Sequence, residues 1–381
     1  MTDFQHPERK ILLNPGPATT TDSVKWSQVV PDICPREQEF QQVMADIRTE
    51  LVKIAGGDAA RYAAVLFGGS GTAAMEAAVS STLPTDGKLM ILINGAYGQR
   101  LAKIARAYQI DYIEYQVDWG RPIDWSTVKS LLSEDDQITH LAMVHHETTT
   151  GILNPLEPFC QVAREFKLVT MVDTISSYAG YPLDLTQTPV DLLMSTSNKC
   201  LQGMAGVAFI IASLELLQEI RRYPPRNLYL DLARQFAYQE QTGQTRFTPP
   251  VQTIYALRQA IAELNEEGLE QRWQRYASNY RILIEGLERM GFRLLLDDQV
   301  EHSRILATIF EPDDPNYNFN RLHDYLYNRG YTIYPGKVSE LNTFRLSILG
   351  ALQAGDINDF LQTLAAAVRD LEIKIVYDNA D

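Results

Sequence analysis

One lysine, Lys199, stands in "STSNKCLQGMAG" (195–206), alone among small residues, hydroxyls and glycines at the end of an apolar run. Lysines ordinarily occupy polar helix faces. One placed here, with its pKa lowered by burial or a cationic neighbour, is a nucleophile towards carbonyl carbon. Asp173 closes the apolar run "LVTMV" in a similar way and opens "DTISS" (173–177). A buried carboxylate needs a partner, either a Lys or Arg or a protonated ring nitrogen of a ligand. The stretch "GGSGT" (68–72) follows "AVLF" and precedes a helical run. Its glycines let the backbone approach a ligand, the helix N-terminus offers free N–H groups to an anion, and Ser70 and Thr72 add hydroxyls. A plain capped turn has the same composition, and the missing GKS or GKT disfavours nucleoside triphosphates. "HHETTTG" (145–151) suits hydrogen bonding to a polar ligand. Tyr97 in "NGAYG" (94–98) either stacks on a planar ligand or simply packs.

Seven apolar runs position these residues: "AAVLF", "KLMILI", "DYIEYQV", "THLAMV", "LVTMV", "DLLMS" and "GVAFII". They alternate with helix-length segments between about residues 60 and 212. That pattern predicts an α/β fold with a mostly parallel seven-stranded sheet, buried on both faces and joined by right-handed crossovers. Open α/β sheets bind ligands beyond the carboxyl ends of their strands, where each stretch above falls. A lysine, an aspartate and an anion-binding turn at those ends fit a pyridoxal 5'-phosphate pocket. The lysine bonds the cofactor's carbonyl carbon, the aspartate keeps the pyridine nitrogen protonated, and the turn holds the phosphate. After about residue 250 a long helical stretch, broken near Gly268, leads into strand–helix–strand patterns of a smaller α+β domain. The expected division is 21–265 for the large domain, with 1–20 and 266–381 forming the small one.

The formal net charge of −14 over 381 residues disfavours nucleic acid while leaving room for a small anion in a local cationic pocket. No run approaches a membrane span and the first residues do not read as a signal peptide. Cys34, Cys160 and Cys200 are scattered and odd in number, which suggests reduced thiols in a cytoplasm. No CxxC or HExxH motif supports a metal.

The segments "LLNPGPATT", "DICPREQEF", "LFGGSGTAAMEA", "NGAYGQR", "MVHHETTTGILNP", "VDTISSYAG", "STSNKCLQG", "RFTPP" and "YPGKVSELNTFRLSILG" occur in this order along nearly the whole chain. Together they resemble the 2-aminoethylphosphonate:pyruvate aminotransferases, a subgroup of the class V, fold-type I pyridoxal-phosphate enzymes. The resemblance implies that Lys199 bonds the cofactor and then carries a proton, and that Asp173 pairs with the pyridinium. It implies Ser70, Gly71 and Thr72 as the phosphate loop, Ser197 as a further phosphate ligand, Tyr97 as the ring-stacking aromatic and Thr149 as the hydroxyl on the 3′ oxygen. Thr248 is expected to reach the phosphate of a neighbouring subunit, which makes the protein a homodimer with shared sites. Arg345 is expected to grip the substrate anion, a phosphonate or the carboxylate of a 2-oxo acid. The implied reaction moves the amino group of 2-aminoethylphosphonate to pyruvate. The sequence departs from the subgroup's pattern at His146, Ser347, Leu349 and "DTISSY", mostly on the substrate side. An aminotransferase or lyase acting on a related aminophosphonate, or alanine:glyoxylate or serine:pyruvate exchange, therefore stays open. A cysteine desulfurase would need a late mobile cysteine, and the last one here is Cys200.

Overall fold

The computed structural model describes residues 8–297, 299–336 and 341–377. Seven strands form the main sheet: β1 (Tyr62–Gly68), β2 (Lys88–Ile93), β3 (Asp111–Gln116), β4 (Ile138–Val144), β5 (Val169–Asp173), β6 (Leu192–Thr196) and β7 (Val207–Ser213). Their order is β1-β7-β6-β5-β4-β2-β3. The contacts β2–β3, β2–β4, β4–β5 and β5–β6 are parallel, and β7 runs antiparallel to β1 and β6. Every residue of β6 is buried, as its unbroken apolar run requires of a strand covered on both faces. Two strand ends lie one residue further on than the runs suggest. Asp173 and Thr196 are the last ladder residues of β5 and β6, with Asp173 paired to Val144 and Met194.

The helices Gly71–Thr82 and Ala96–Ala107 follow β1 and β2, so their N-termini open at the carboxyl edge of the sheet. The long helical stretch divides into Val251–Glu267 and Leu269–Arg289 at Gly268. There φ is +86°, a backbone state that glycine adopts without strain. Glu267 at this joint pairs with Arg272 at 2.7 Å and Arg275 at 2.6 Å. Arg272 donates to the Cys200 carbonyl at 3.2 Å, and Arg275 to the carbonyls of Gly350 and Leu352 at 3.0 and 2.9 Å.

A second, antiparallel sheet has β8 (Leu306–Phe310), β9 (Tyr334–Pro335) and β10 (Thr343–Ser347) in the order β8-β10-β9. Helix Ala354–Asp370 packs against it through Ile357, Phe360 and Leu364. The early segment Ile11–Leu12 pairs in parallel with Tyr331–Thr332. Leu13 then accepts from the Ser347 N–H at 2.7 Å. Ile11, Leu13 and Ala18 share one apolar cluster with Tyr276, Leu283, Phe344 and Ile357. Lys337 to Glu340, within "YPGKVSELNTFRLSILG", lie outside the described residues. Among the described residues no helix is long and apolar enough to cross a membrane, and no group of three His, Cys, Asp or Glu is arranged to hold a metal.

Candidate active site

The turn after β6 carries Lys199, and the Lys199 ammonium donates to the carbonyl of Pro15. The segment "NPGP" (14–17) lies across the lysine as a strap. Gly16 has φ +117°, and a Cβ there would run into the Lys199 side chain, so only glycine fits. Ala18 N–H pins the strap to Asn198 O at 2.9 Å. Burial lowers the Lys199 pKa, opposed by Tyr97, Cys200 and Asp173, while Arg345 lowers it further. A depressed pKa leaves more of the amine unprotonated and nucleophilic.

Asp173 is buried, and its carboxylate accepts from the Ile175 N–H at 2.8 Å. Among the described residues no Lys or Arg forms an ion pair with it. Burial therefore pushes its pKa up to about 7, with the charge of Glu147 adding to the rise. A carboxyl kept this dry without an ion pair fits a protonated ring nitrogen, which would supply a paired charge. The sign of its effect on stability is fixed. In the unfolded chain the carboxyl ionises near 3.8, in the folded chain near 7, so its contribution is full below 3.8 and lost as pH rises to 7. Asp173→Asn should therefore stabilise the cofactor-free chain, by an amount that grows from pH 4 to pH 7 and reaches roughly 2–4 kcal/mol. Urea unfolding at both ends of that range checks it, and an unchanged difference between the two pH values would refute the buried charge.

Ser70 caps helix Gly71–Thr82 in an extended conformation, is exposed, and makes no side-chain cap bond. Its hydroxyl and the amides of Gly71 and Thr72 precede the first internal bond, Ala73 N–H to Ser70 O at 2.8 Å. A Cβ on Gly71 would come 2.8 Å from Ile175, so the turn packs directly on the Asp173 loop. Arg100 donates to Thr72 Oγ1 at 3.2 Å and stacks its guanidinium 4.6 Å from the centre of the Tyr97 ring. The sequence reading missed Arg100, although it lies three residues after Tyr97 and so on the same helical face.

Arg345 sits in the middle of β10 and is 1% exposed. It donates to Pro335 O at 3.1 Å and Thr148 O at 3.3 Å. Burial lowers its pKa, and Tyr97 opposes the fall as a hydrogen-bond partner. Among the described residues no carboxylate forms an ion pair with this guanidinium. A buried fork held by two carbonyls and Tyr97, with no carboxylate pair, has the chemistry of an anion receptor.

Two hydroxyls expected at the cofactor are bonded to protein groups in this structure. The Thr149 hydroxyl accepts from the Ala96 N–H at 3.0 Å and donates to Glu147 Oε1 at 2.5 Å, so its proton is spent inside the protein. The next hydroxyl along, Thr148 Oγ1, is buried with no partner and is the one left for a ligand. Ser197 likewise turns inward, onto the carbonyls of Met204 at 2.5 Å and Val207 at 3.2 Å, and has no proton for a phosphate. Glu147 is also not a ligand group. Its carboxylate accepts from Tyr97 and Gly98 N–H at 3.0 and 3.2 Å, capping helix Ala96–Ala107 where Gly95 has no side chain to do so. Thr248 is apart from this cluster, exposed in a shallow cleft with Gly68, Tyr229 and Phe247. Lys199, Asp173, Tyr97 and Arg345 are thus brought together, with the Gly71 turn against them.

The family described as Aminotransferase class-V matches residues 26–337. A 2-aminoethylphosphonate–pyruvate transaminase of Bacillus mycoides is 38% identical over 360 residues, 94% of this chain and 98% of that relative. A transaminase with the same name from Bacillus cereus is 37% identical over 360 residues, with the same shares covered. Among solved structures, an alanine–glyoxylate aminotransferase from Nostoc sp. superposes with a TM-score of 0.88 at 27% identity, covering 97% of this chain and 98% of that one. A pyridoxamine–pyruvate aminotransferase from Mesorhizobium loti, at 21% identity and a TM-score of 0.86, covers 97% of this chain and 95% of its own and shares the fold.

Proposed function

The chain belongs to the class V aminotransferases, and from that premise we propose that it transfers the amino group of 2-aminoethylphosphonate to pyruvate, with pyridoxal 5'-phosphate as cofactor. The observation that carries the chemistry is the buried Arg345, with no carboxylate partner, in the same pocket as Lys199. The donor is carried by the likeness to relatives of that name over 94% of the chain.

The cofactor fits the donor set. Ser70 and the amides of Gly71 and Thr72 would hold its phosphate, with Arg100 adding positive charge. Asp173 would take the ring nitrogen, Tyr97 would flank the ring, and the unpartnered Thr148 hydroxyl would meet its oxygen. Bound there, pyridoxal phosphate supplies the electron sink that no side chain provides. Asp173 keeps that sink strong by holding the ring nitrogen's proton in a dry site. Lys199 Nζ takes the proton from the substrate carbon that bears the nitrogen. Arg345 grips the phosphonate in one half-reaction and the carboxylate of the 2-oxo acid in the other, so one fork serves two anions. The strap at Pro15 and Gly16 limits water around the lysine. We place the working enzyme as a homodimer, in which Thr248 of one subunit serves the cofactor phosphate of its neighbour. The exposed Leu228 and Tyr229 beside that surface support this assembly.

The test offers the loaded enzyme pyruvate with a panel of amines and reads alanine and aldehyde together. 2-Aminoethylphosphonate should exceed serine by about a hundredfold in kcat/KM, the scale on which a paired buried polar group discriminates. Faster exchange of alanine with glyoxylate would overturn the phosphonate reading and leave the family in place.

A further inference from the structure

His146 is 2% exposed, on a short strand of two residues that pairs with Ile152–Leu153. Its Nδ1 lies 3.0 Å from the Ser176 carbonyl, so Nδ1 carries the hydrogen and Nε2 the lone pair. That Nε2 is buried and has no partner. An orphaned buried acceptor is costly, and a native site that keeps one has a use for it. Ser176 O also accepts from the Cys200 thiol at 3.4 Å, so the ring and the residue next to Lys199 meet at one oxygen. The Lys199 charge is near enough to make His146 harder to protonate. A lysine ammonium has three N–H groups, and the bond to Pro15 O uses one of them.

We propose that His146 is a positioning residue whose Nε2 accepts an N–H from the Lys199 nitrogen. The inference rests on the reading of Lys199 as the reacting amine. The ionisable groups of this pocket are His145 and Glu147 on either side, Asp173 on β5, Lys199 and Cys200 after β6, Tyr97 on helix Ala96–Ala107 and Arg345 on β10. Among them a neutral imidazole has a particular merit. Burial pushes the His146 pKa down to about 4, so the ring is too weak a base to take the lysine's proton and can only orient it. The proton stays on Nζ and is aimed, ready for delivery to carbon. A carboxylate in the same place would hold the ammonium too tightly, and an apolar side chain would leave it without a station.

Two amide substitutions separate this role from a structural one. Asn reproduces the Nδ1 end and keeps the bond to Ser176 O, while Gln places an acceptor where Nε2 stands. The readout is the pH at which the visible absorbance of the pyridoxal-phosphate-loaded protein changes, which reports the proton on the Lys199 nitrogen. His146→Asn should lower that midpoint by about one unit, since an acceptor for a charged N–H is worth at least that much. It should also slow the amine half-reaction about tenfold. His146→Gln should restore both. The reverse order, with Asn unchanged and Gln impaired, would make His146 a prop for Ser176 and overturn the proposal. An unchanged midpoint in both variants would overturn it too. A wild-type protein that shows no visible band with pyridoxal phosphate would instead remove the functional reading on which the proposal rests.

Discussion

Lys199→Ala should take up pyridoxal phosphate at close to the wild-type level and turn over about 10⁴-fold more slowly, the upper range for loss of a positioned general base. The residues assigned to the cofactor phosphate and ring nitrogen are untouched by the change. Ser70, Gly71 and Thr72 stand on helix Gly71–Thr82, and Asp173 stands on β5. What disappears is the amine that bonds the cofactor and moves the substrate's proton. The strap loses its hydrogen bond from Lys199 but keeps the one from Ala18 N–H to Asn198 O, so the pocket should stay closed. Stopped-flow absorbance after mixing with 2-aminoethylphosphonate is the measurement. A spectral change on binding, without onward turnover, is the expected trace. A variant with wild-type turnover would remove Lys199 from the chemistry.

The second large effect belongs to Arg345. Charge-assisted hydrogen bonds contribute about 1.5–3 kcal/mol, so Arg345→Ala should slow both half-reactions by roughly ten- to two-hundredfold. Both should suffer because phosphonate and carboxylate would share the one fork. Arg345→Lys should recover part of the loss, as a point charge cannot match two parallel N–H donors. The residue also ties Pro335 O and Thr148 O together, so truncation strands two carbonyls. A thermal melt of the cofactor-loaded variant separates that structural cost from the kinetic one. Single-turnover rates that fall in only one half-reaction would show that the two anions bind at different places.

Much of this site is legible from residue type and strand ends. A lone lysine, an aspartate closing an apolar run and a Gly-Ser-Gly-Thr turn can be placed because a parallel sheet lines up its carboxyl ends. The three consecutive threonines at 148–150 cannot be separated that way. Their side chains are alike, and only the helix whose first turn Glu147 caps decides that Thr149 is engaged and Thr148 is not. The partners of Ser197 are hidden for a similar reason, since its turn closes onto carbonyls up to ten residues away. Contacts across long separations are invisible in the chain. The Lys199 bond to Pro15 O leaves no local pattern, because it depends on where two distant segments meet. Asp173 is the intermediate case. Its burial follows from its neighbours, but that no described Lys or Arg forms an ion pair with it could be learned only from the packed pocket.

The strap over Lys199 has a consequence for the order in which a ribosome releases the chain. Residues 11–18 emerge early, yet what they lean on is Asn198, Thr332 and Ser347. The main sheet is complete in sequence at Ser213, long before those last supports exist. A nascent chain can therefore have its strands, its Gly-rich turn and its lysine in place while the pocket still stands open to the cell. Closure waits for strongly non-local contacts, which form slowly because their loop must be closed first. The roof of the pocket is a seam between early and late parts of the chain, sewn after everything beneath it.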